Sequence, residues 1–306
     1  MAGGKLWTSE DIRILAECYE RYLPVSEIMK KFPDRSQQSI TTKAQKLGLT
    51  KKYIRTNNAR FKAEYQDYDW CFNRFINKGM STDEIAEESG FSKRVIEKWI
   101  YEKHHLDYMK DFKLNDRQKM LIIAGCLGDG HIMKQHPVYI ESHADNQKDY
   151  AFWKFEILKN MCNMKEPSYY PESVKYLNGK PYDCKPCYRF STRKVNSLLE
   201  IRNMSRCDKI DYLDEFGFAL HFLDDGYYSG INWEVCLAEW STEEKRLYMD
   251  KLNELLNVKS HLLKDDIYLL VDKPSSDTMN RIILNNVPND LDIIQYKIIE
   301  KRKTNG

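Results

Sequence analysis

Asp129 and Asp225 have the setting in this chain that best fits metal chemistry. Each closes an apolar, helix-forming run and is followed by glycine. The runs read Leu-Ile-Ile-Ala-Gly-Cys-Leu-Gly-Asp-Gly over 121–130 and Phe-Ala-Leu-His-Phe-Leu-Asp-Asp-Gly over 218–226. One acid at each of two helix ends can build a shared site for a hard divalent cation, which selects carboxylate oxygens and often takes only one or two from protein. The two acids are 96 residues apart, so each is expected to belong to its own half of a duplicated unit. A single Asp-Gly after an apolar helix is ordinarily a helix stop and a turn; two copies with repeat-like flanks argue against that reading.

The elements around them repeat. After helix Leu121–Leu127 come a strand over 136–142, a helix over 148–161, strands up to Tyr188–Thr192 and a helix starting near Val195. Trp153, Ile157 and Met161 are expected together on one face of the helix over 148–161. The second half follows the same order: helix Phe216–Leu223, alternating residues over 233–238, an amphipathic helix Thr242–Leu256 with Leu247, Leu252 and Leu255 inward, a strand over 267–271 and a helix over 275–286. From Asp129 to Lys194 is 65 residues and from Asp225 to Lys273 is 48, and the extra 17 are expected in the Tyr- and Pro-rich segment 167–186. A repeated helix-strand-strand-helix-strand-strand-helix unit is mixed α+β. We assign it to 111–306.

Ahead of it lie two small all-helical segments. In the first, over 1–55, Thr8 or Ser9 is placed to cap a helix carrying Ile12, Leu15, Ala16 and Tyr19 on one face. Pro24 breaks that helix, a short second one spans 25–32, and a third runs from Ser39 to Leu47 and stops at Gly48. In the second, over 68–110, Ser81 caps a helix with acids in its first turn, Gly90 ends it, and a further helix follows over 93–101. Helix, glycine turn, helix is the helix-turn-helix pattern, whose second helix enters the major groove N-terminal end first. Ser92, Lys93, Arg94 and Lys98 are therefore the base-reading candidates. Residues 56–67 form a basic linker, where charge and no base specificity is expected.

Net charge is only +2, but from Lys30 to Lys62 ten basic side chains face one acid, Asp34, a local +9. Such a block suits a phosphate backbone. With 42% hydrophobic and 31% charged residues over 306 positions, the composition is that of a globular protein of about two domains. No apolar run is long enough for a bilayer and the start carries no apolar signal segment. We therefore expect no membrane partner, and a cytoplasmic protein of a bacterial or phage-infected cell. Eight cysteines in that setting read as reduced thiols. Cys184-Lys-Pro-Cys187 lacks a second pair at zinc spacing, and we read it as strand-end cysteines.

The stretch Trp7-Thr-Ser-Glu, with Arg35-Ser-Gln-Gln-Ser-Ile and Lys43-Ala-Gln-Lys-Leu-Gly-Leu49, resembles a Myb/SANT-like DNA-binding domain. That resemblance implies that Gln38, Thr41, Thr42, Gln45 and Lys46 face the major groove. The C-terminal two-thirds resembles a LAGLIDADG homing endonuclease with both motifs on one chain. The first copy has small residues four apart, Ala124 and Gly128, and the ending Gly128-Asp129-Gly130-His131-Ile132. The second has Leu220 and Asp224 where small residues are expected, but keeps Phe222-Leu223-Asp224-Asp225-Gly226. The resemblance implies a pseudo-two-fold saddle whose motif helices pack at the seam, and a monomer that binds double-stranded DNA. It also implies Mg2+ or another divalent cation at Asp129 and Asp225, next to Gly128 and Asp224, with Asp224 an alternative to Asp225 as ligand. The activity implied is metal-dependent hydrolysis of both strands at a long asymmetric target, leaving short 3′ overhangs, by an intron-encoded enzyme. Repeat symmetry then nominates Lys194 (or Arg193) and Lys273 as supporting bases. The alternatives are a non-cleaving DNA-binding regulator on the same scaffold and a maturase whose partner is intron RNA.

Overall fold

The computed structural model describes residues 7–21, 23–49, 63–177, 180–263 and 267–301. Most of the basic linker and half of the basic block, including Lys51, Lys52, Arg55, Arg60 and Lys62, lie outside the described residues. The chain divides into two compact units, Met1–Cys71 and Phe72–Gly306.

The first unit packs helices Ser9–Glu20, Val25–Lys31 and Gln37–Lys46 around one core. Thr8 is the cap: its hydroxyl accepts from the Asp11 amide while Asp11 accepts from the Thr8 amide, satisfying two amides that a helix start leaves open. Leu15, Ile28, Ile40 and Ala44 are fully buried, with Trp7, Ile14, Leu23 and Leu49 packed around them. Arg35 joins the ends of this small bundle. Its guanidinium lies 4.0 Å over the Trp7 ring and 2.7 Å from Asp11.

The second unit begins with a helical module. Helix Thr82–Ser89 is closed by Gly90 at φ +73, and helix Lys93–Glu97 continues through a wider helical turn, Lys98–Lys103. Short helix Tyr108–Asp111 follows. The module is fixed to what comes after it. The Arg193 side chain donates to the Gly79 carbonyl, the Asn160 amide donates to the Asn77 carbonyl at 2.7 Å, and the Tyr108 hydroxyl donates to the Asn160 carbonyl at 2.6 Å. Arg193 also stacks on the Tyr108 ring at 4.7 Å. Gly79 sits at φ +65, and a Cβ there would lie 2.0 Å from the Asn160 carbonyl oxygen. We predict that Gly79→Ala destabilises the protein by about 1–3 kcal/mol, measured by urea unfolding; an unchanged midpoint would show that this joint yields freely.

Two four-stranded antiparallel sheets form the rest. In chain order the strands are β1 Gly130–Ile132, β2 Tyr139–Ala144, β3 Ser168–Tyr170, β4 Ser173–Leu177, β5 Lys180–Cys184, β6 Cys187–Ser191, β7 Gly226–Tyr228, β8 Trp233–Cys236, β9 Ser260–Leu262 and β10 Tyr268–Val271. The sheet orders are β1-β2-β6-β3 and β7-β8-β10-β9, the same path drawn twice. The surplus residues of the first half form the separate hairpin β4-β5, within the Tyr- and Pro-rich segment. Each sheet is preceded by a motif helix, Asp116–Gly125 or Glu215–Asp225, and these two helices pack on each other. Their walls are apolar nearly all round, with Leu121, Ile122, Ile123, Phe218, Ala219, Leu220 and Phe222 buried. A helix without a polar face has to sit inside a core. This is the α+β duplicated architecture expected.

Two inner faces differ from expectation. In helix Lys148–Leu158 the buried side chains are Tyr150, Ala151, Lys154, Phe155 and Leu158, while Trp153 and Ile157 are only half-buried. A lysine on the buried stripe disguised its true phase. In helix Thr242–Leu256 the inner face is Lys245, Tyr248, Leu252 and Leu256, and Leu255 is exposed. The close approach in the second motif helix is made by Gly217, where a Cβ would lie 2.6 Å from the Met120 sulfur of the first.

Candidate metal centre at the seam of the two halves

The first motif helix ends at Gly125, and a turn carries the chain through Gly128 to Asp129. The second runs on to Asp225. At the crossing, a Cβ on Gly128 would lie 3.0 Å from Asp224 Cβ and 3.4 Å from Asp225 Oδ2. Glycine at 128 lets the two acids of the other half approach closely; a side chain there would press on both.

Behind Asp129 lies a buried polar chain. Tyr139, Glu141 and His143 alternate along β2 and all point inward. The Tyr139 hydroxyl occupies space that a Cβ on Gly125 or Gly130 would fill, at 1.9 and 2.2 Å, and donates to Glu141 Oε2 at 2.8 Å. Lys154 Nζ donates to Glu141 Oε1 at 2.6 Å and to both Asp224 oxygens at 2.8 and 2.9 Å. The Tyr150 hydroxyl adds a bond to Asp224 Oδ1 at 2.9 Å. Lys154, Glu141 and Asp224 have no exposed side-chain surface, so one ammonium holds a carboxylate from each half. His143 Nε2 meets Glu141 Oε1 at 3.1 Å, and its Nδ1 faces Asp129 Oδ2 at 3.4 Å. In the second half, His221 Nε2 lies 3.6 Å from Asp225 Oδ2 while Nδ1 meets the Tyr248 hydroxyl at 2.8 Å.

The electrostatics are those of a site short of positive charge. Burial, then Asp129 and Asp224, pushes the Asp225 carboxyl up to about 7. Burial also raises Asp224, with Asp129 and Glu141 adding to it against Lys154. Glu141 goes the other way, to about 2, because Lys154 and His143 outweigh its burial. Burial and Lys154 oppose a charge on His143, yet Asp129 and Glu141 hold its ring up to about 9; a cation beside Asp129 would replace that proton. Burial drives His221 down to about 4. Ligand atoms from Asp129, His143 and Asp224 all lie within 4.8 Å of one another. Converging carboxylates, with buried nitrogens of His143 and His221 that have no hydrogen-bond partner, fit a divalent cation.

A proton on Asp225 and a cation compete. For an unfolded carboxyl near 3.8 and a folded one near 7, the metal-free fold binds the extra proton and loses stability as pH rises between those values. Cation affinity should therefore rise by up to about tenfold per pH unit below 7. Melting shifts with a fixed cation concentration at pH 6 and pH 8 measure this, and equal shifts would contradict it.

The other nominated residues are distributed as follows. Lys194 is exposed just beyond β6, and Lys273 is exposed at the start of helix Lys273–Asn286. Neither forms an ion pair with the seam acids among the described residues. Arg193 is taken up by Gly79 and Tyr108. The cations that act on Asp225 are Lys297 and Lys154, neither nominated from the sequence. Lys297, in the C-terminal helical turn Gln295–Ile299, donates to the carbonyls of Leu223 at 2.5 Å and Gly226 at 2.8 Å. It thereby caps the second motif helix with positive charge. On the third helix of the first unit, Gln38, Thr42, Gln45 and Lys46 are exposed, while Thr41 is half-buried and its hydroxyl donates to the Gln37 carbonyl at 2.9 Å. Ser92, Lys93, Arg94 and Lys98 are exposed, with Lys93 held by Asp83 at 2.8 Å. Cys184 and Cys187 end β5 and begin β6 as free thiols.

Two halves of one α+β pattern, meeting along paired helices that end in acids, define the LAGLIDADG class of fold. The chain belongs to the LAGLIDADG DNA endonuclease family, whose model matches residues 120–278, more than half of its length. Among solved structures it is similar to the homing endonuclease I-WcaI bound to its DNA recognition sequence, with 18% identity, a TM-score of 0.49, and 61% of this chain and 87% of that one covered. It is also similar to full-length DUF199/WhiA from Thermatoga maritima, at 12% identity and a TM-score of 0.35 over 62% of this chain and 63% of that one. A stretch of 65 residues is 40% identical to the uncharacterized protein Lin2408 of Listeria innocua, covering 21% of this chain and 83% of that protein. Among the described residues no helix is long and apolar enough to cross a membrane.

Proposed function

We propose that this chain is a site-specific homing endonuclease that hydrolyses DNA phosphodiesters with a divalent cation, Mg2+ or a relative of it. The observation that carries this reading is the meeting of Asp129 from one half with Asp224 and Asp225 from the other. A protein that only bound DNA would have no use for the partly exposed carboxylates of Asp129 and Asp225 facing a polyanion. Asp129 would hold the cation together with Asp225 or with Asp224, whose carboxylate Lys154 and Tyr150 fix in place beside Asp129, and Gly128 would keep the approach open. A cation bound there supplies an acidified water and neutralises charge gathering on the phosphate. The exposed Lys194 and Lys273, at corresponding strand ends, would reach the phosphates that flank the cut. Both halves lie on one chain, so one molecule suffices for two cuts, and their unlike sequences suit an asymmetric target; short 3′ overhangs are what the family resemblance implies.

The helical segments would lengthen the target. Gln38, Thr41, Thr42, Gln45 and Lys46 in the first, and Ser92, Lys93, Arg94 and Lys98 in the second, are our base- and phosphate-contacting residues. Lys93 would contribute least, since Asp83 already neutralises it. Binding should lose about 10³-fold or more in affinity between 50 and 200 mM salt, as expected for at least six phosphate contacts. A shallow salt slope in a filter-binding series would contradict this.

The test is incubation with a duplex carrying the sequence that flanks its reading frame, joined across the insertion, with and without Mg2+. Cation-dependent double-strand cleavage supports the enzyme. Tight binding to intact DNA with or without cation would favour the regulator, and preference for the structured intron transcript would favour the maturase.

A further inference from the structure

We infer that Nδ1 of His143 is a ligand of the cation at the seam, beside Asp129 and Asp224, and that the site therefore prefers Mn2+ or Co2+ to Mg2+. This rests on the metal-dependent reading above and adds the donor set to it. His143 is 1% exposed. Its Nδ1 is buried, has no hydrogen-bond partner, and lies with oxygens of Asp129 and Asp224 inside one 4.8 Å cluster.

The other ring nitrogen explains why Nδ1 is a donor. Nε2 meets Glu141 Oε1 at 3.1 Å. Glu141 is itself fixed by Lys154 at 2.6 Å and by Tyr139 at 2.8 Å. Held on both sides by donors, that carboxylate can only accept from the imidazole, so Nε2 keeps its hydrogen and Nδ1, beside Asp129, is the nitrogen left to coordinate a cation in place of a proton. A carboxylate behind a histidine in this manner orients the ring and raises its basicity as a ligand. Imidazole suits first-row transition cations, whereas Mg2+ favours oxygen alone.

The second half has no equivalent. Gly130 pairs with Glu141, and Gly226 pairs with Val235. The position matching His143, two residues on, is Leu237. His221 lies against a tyrosine hydroxyl, which both donates and accepts and so leaves the tautomer open. A strand-borne imidazole with its tautomer fixed by a carboxylate is thus a property of the first half; His221 Nε2, also buried and unpartnered, comes from the motif helix and lies 3.6 Å from Asp225.

Pulsed electron paramagnetic resonance on the full chain loaded with Mn2+, without DNA, tests the assignment. Nitrogen modulation from one imidazole is expected. His143→Gln should abolish it and weaken Mn2+ binding at least tenfold while changing Mg2+ binding little. Glu141→Gln should weaken Mn2+ binding about 10–100-fold with the modulation retained. Bound Mn2+ without nitrogen modulation in the unaltered protein would overturn the proposal and leave a carboxylate-only site standing. Failure to bind Mn2+ at all would overturn the metal-dependent reading with it. The spectrum of the unaltered protein decides the matter even if the variants fold poorly.

Discussion

Asp129→Asn and Asp225→Asn should each fold, bind duplex, and cut it at least about 10²–10³-fold more slowly, the loss typical when one preorganised electrostatic group is removed. Each change deletes one negative charge and keeps the shape. In the metal-free protein each should be neutral or stabilising, because Asp225 is held up to about 7 by burial and by Asp129 and Asp224. Relieving such a conflict raises stability where function had lowered it. The double variant should lose little more than the worse single one, since residues acting as a unit are not additive. DNA affinity without cation should be equal to or better than that of the parent, as fewer negative charges face the phosphates. Single-turnover cleavage rates and melting midpoints measure both halves of the expectation. An Asp225→Asn protein with parental cleavage rate would remove Asp225 from the site.

The largest effect on stability is expected from Lys154→Met. It removes the ammonium that holds Glu141 and Asp224 in a fully buried setting. Two buried carboxylates would then repel with only the His143 ring, beside Glu141, as counter-charge, and removing one partner from such a group costs about 3–5 kcal/mol. Combining Lys154→Met with Glu141→Gln and Asp224→Asn should recover most of the loss, because the penalty comes from uncompensated charge more than from lost packing. Chemical unfolding of the three proteins distinguishes these terms. A single variant within about 1 kcal/mol of the parent would mean that water reaches Lys154.

The motif acids were legible because a helix ending in Asp-Gly is a local signal and occurred twice. The duplicated order of elements was legible for the same reason: periodicity of 3.6 against 2 separates helices such as Thr242–Leu256 from strands such as Tyr268–Val271. The residues that connect the acids were not. Lys154 falls on the buried face of its helix, where a lysine argues for solvent until its two carboxylate partners are seen. Those partners lie 13 residues back on β2 and 70 residues ahead at the end of the other motif helix. Glu141 and His143 carried a faint signal, since they continue the inward alternation begun by Tyr139. A strand with polar residues on its buried side is a sign of a site. Short strands β1 and β7 escaped notice because three residues give no period to read. Arg193 looked like a supporting base by its place at a strand end, and its geometry shows a joint between the helical module and the first half. Gly217 supplied the small residue that seemed to be missing from the second motif helix, one turn before Leu220.

The most direct test of the account is a crystal structure of the chain with duplex DNA and Mn2+, examined by anomalous scattering. A peak is expected at the seam within coordination distance of both Asp129 and an acid of the other half, Asp225 or Asp224, next to a backbone phosphate. Peaks that reach only one half, or a seam from which phosphate is remote, would contradict it.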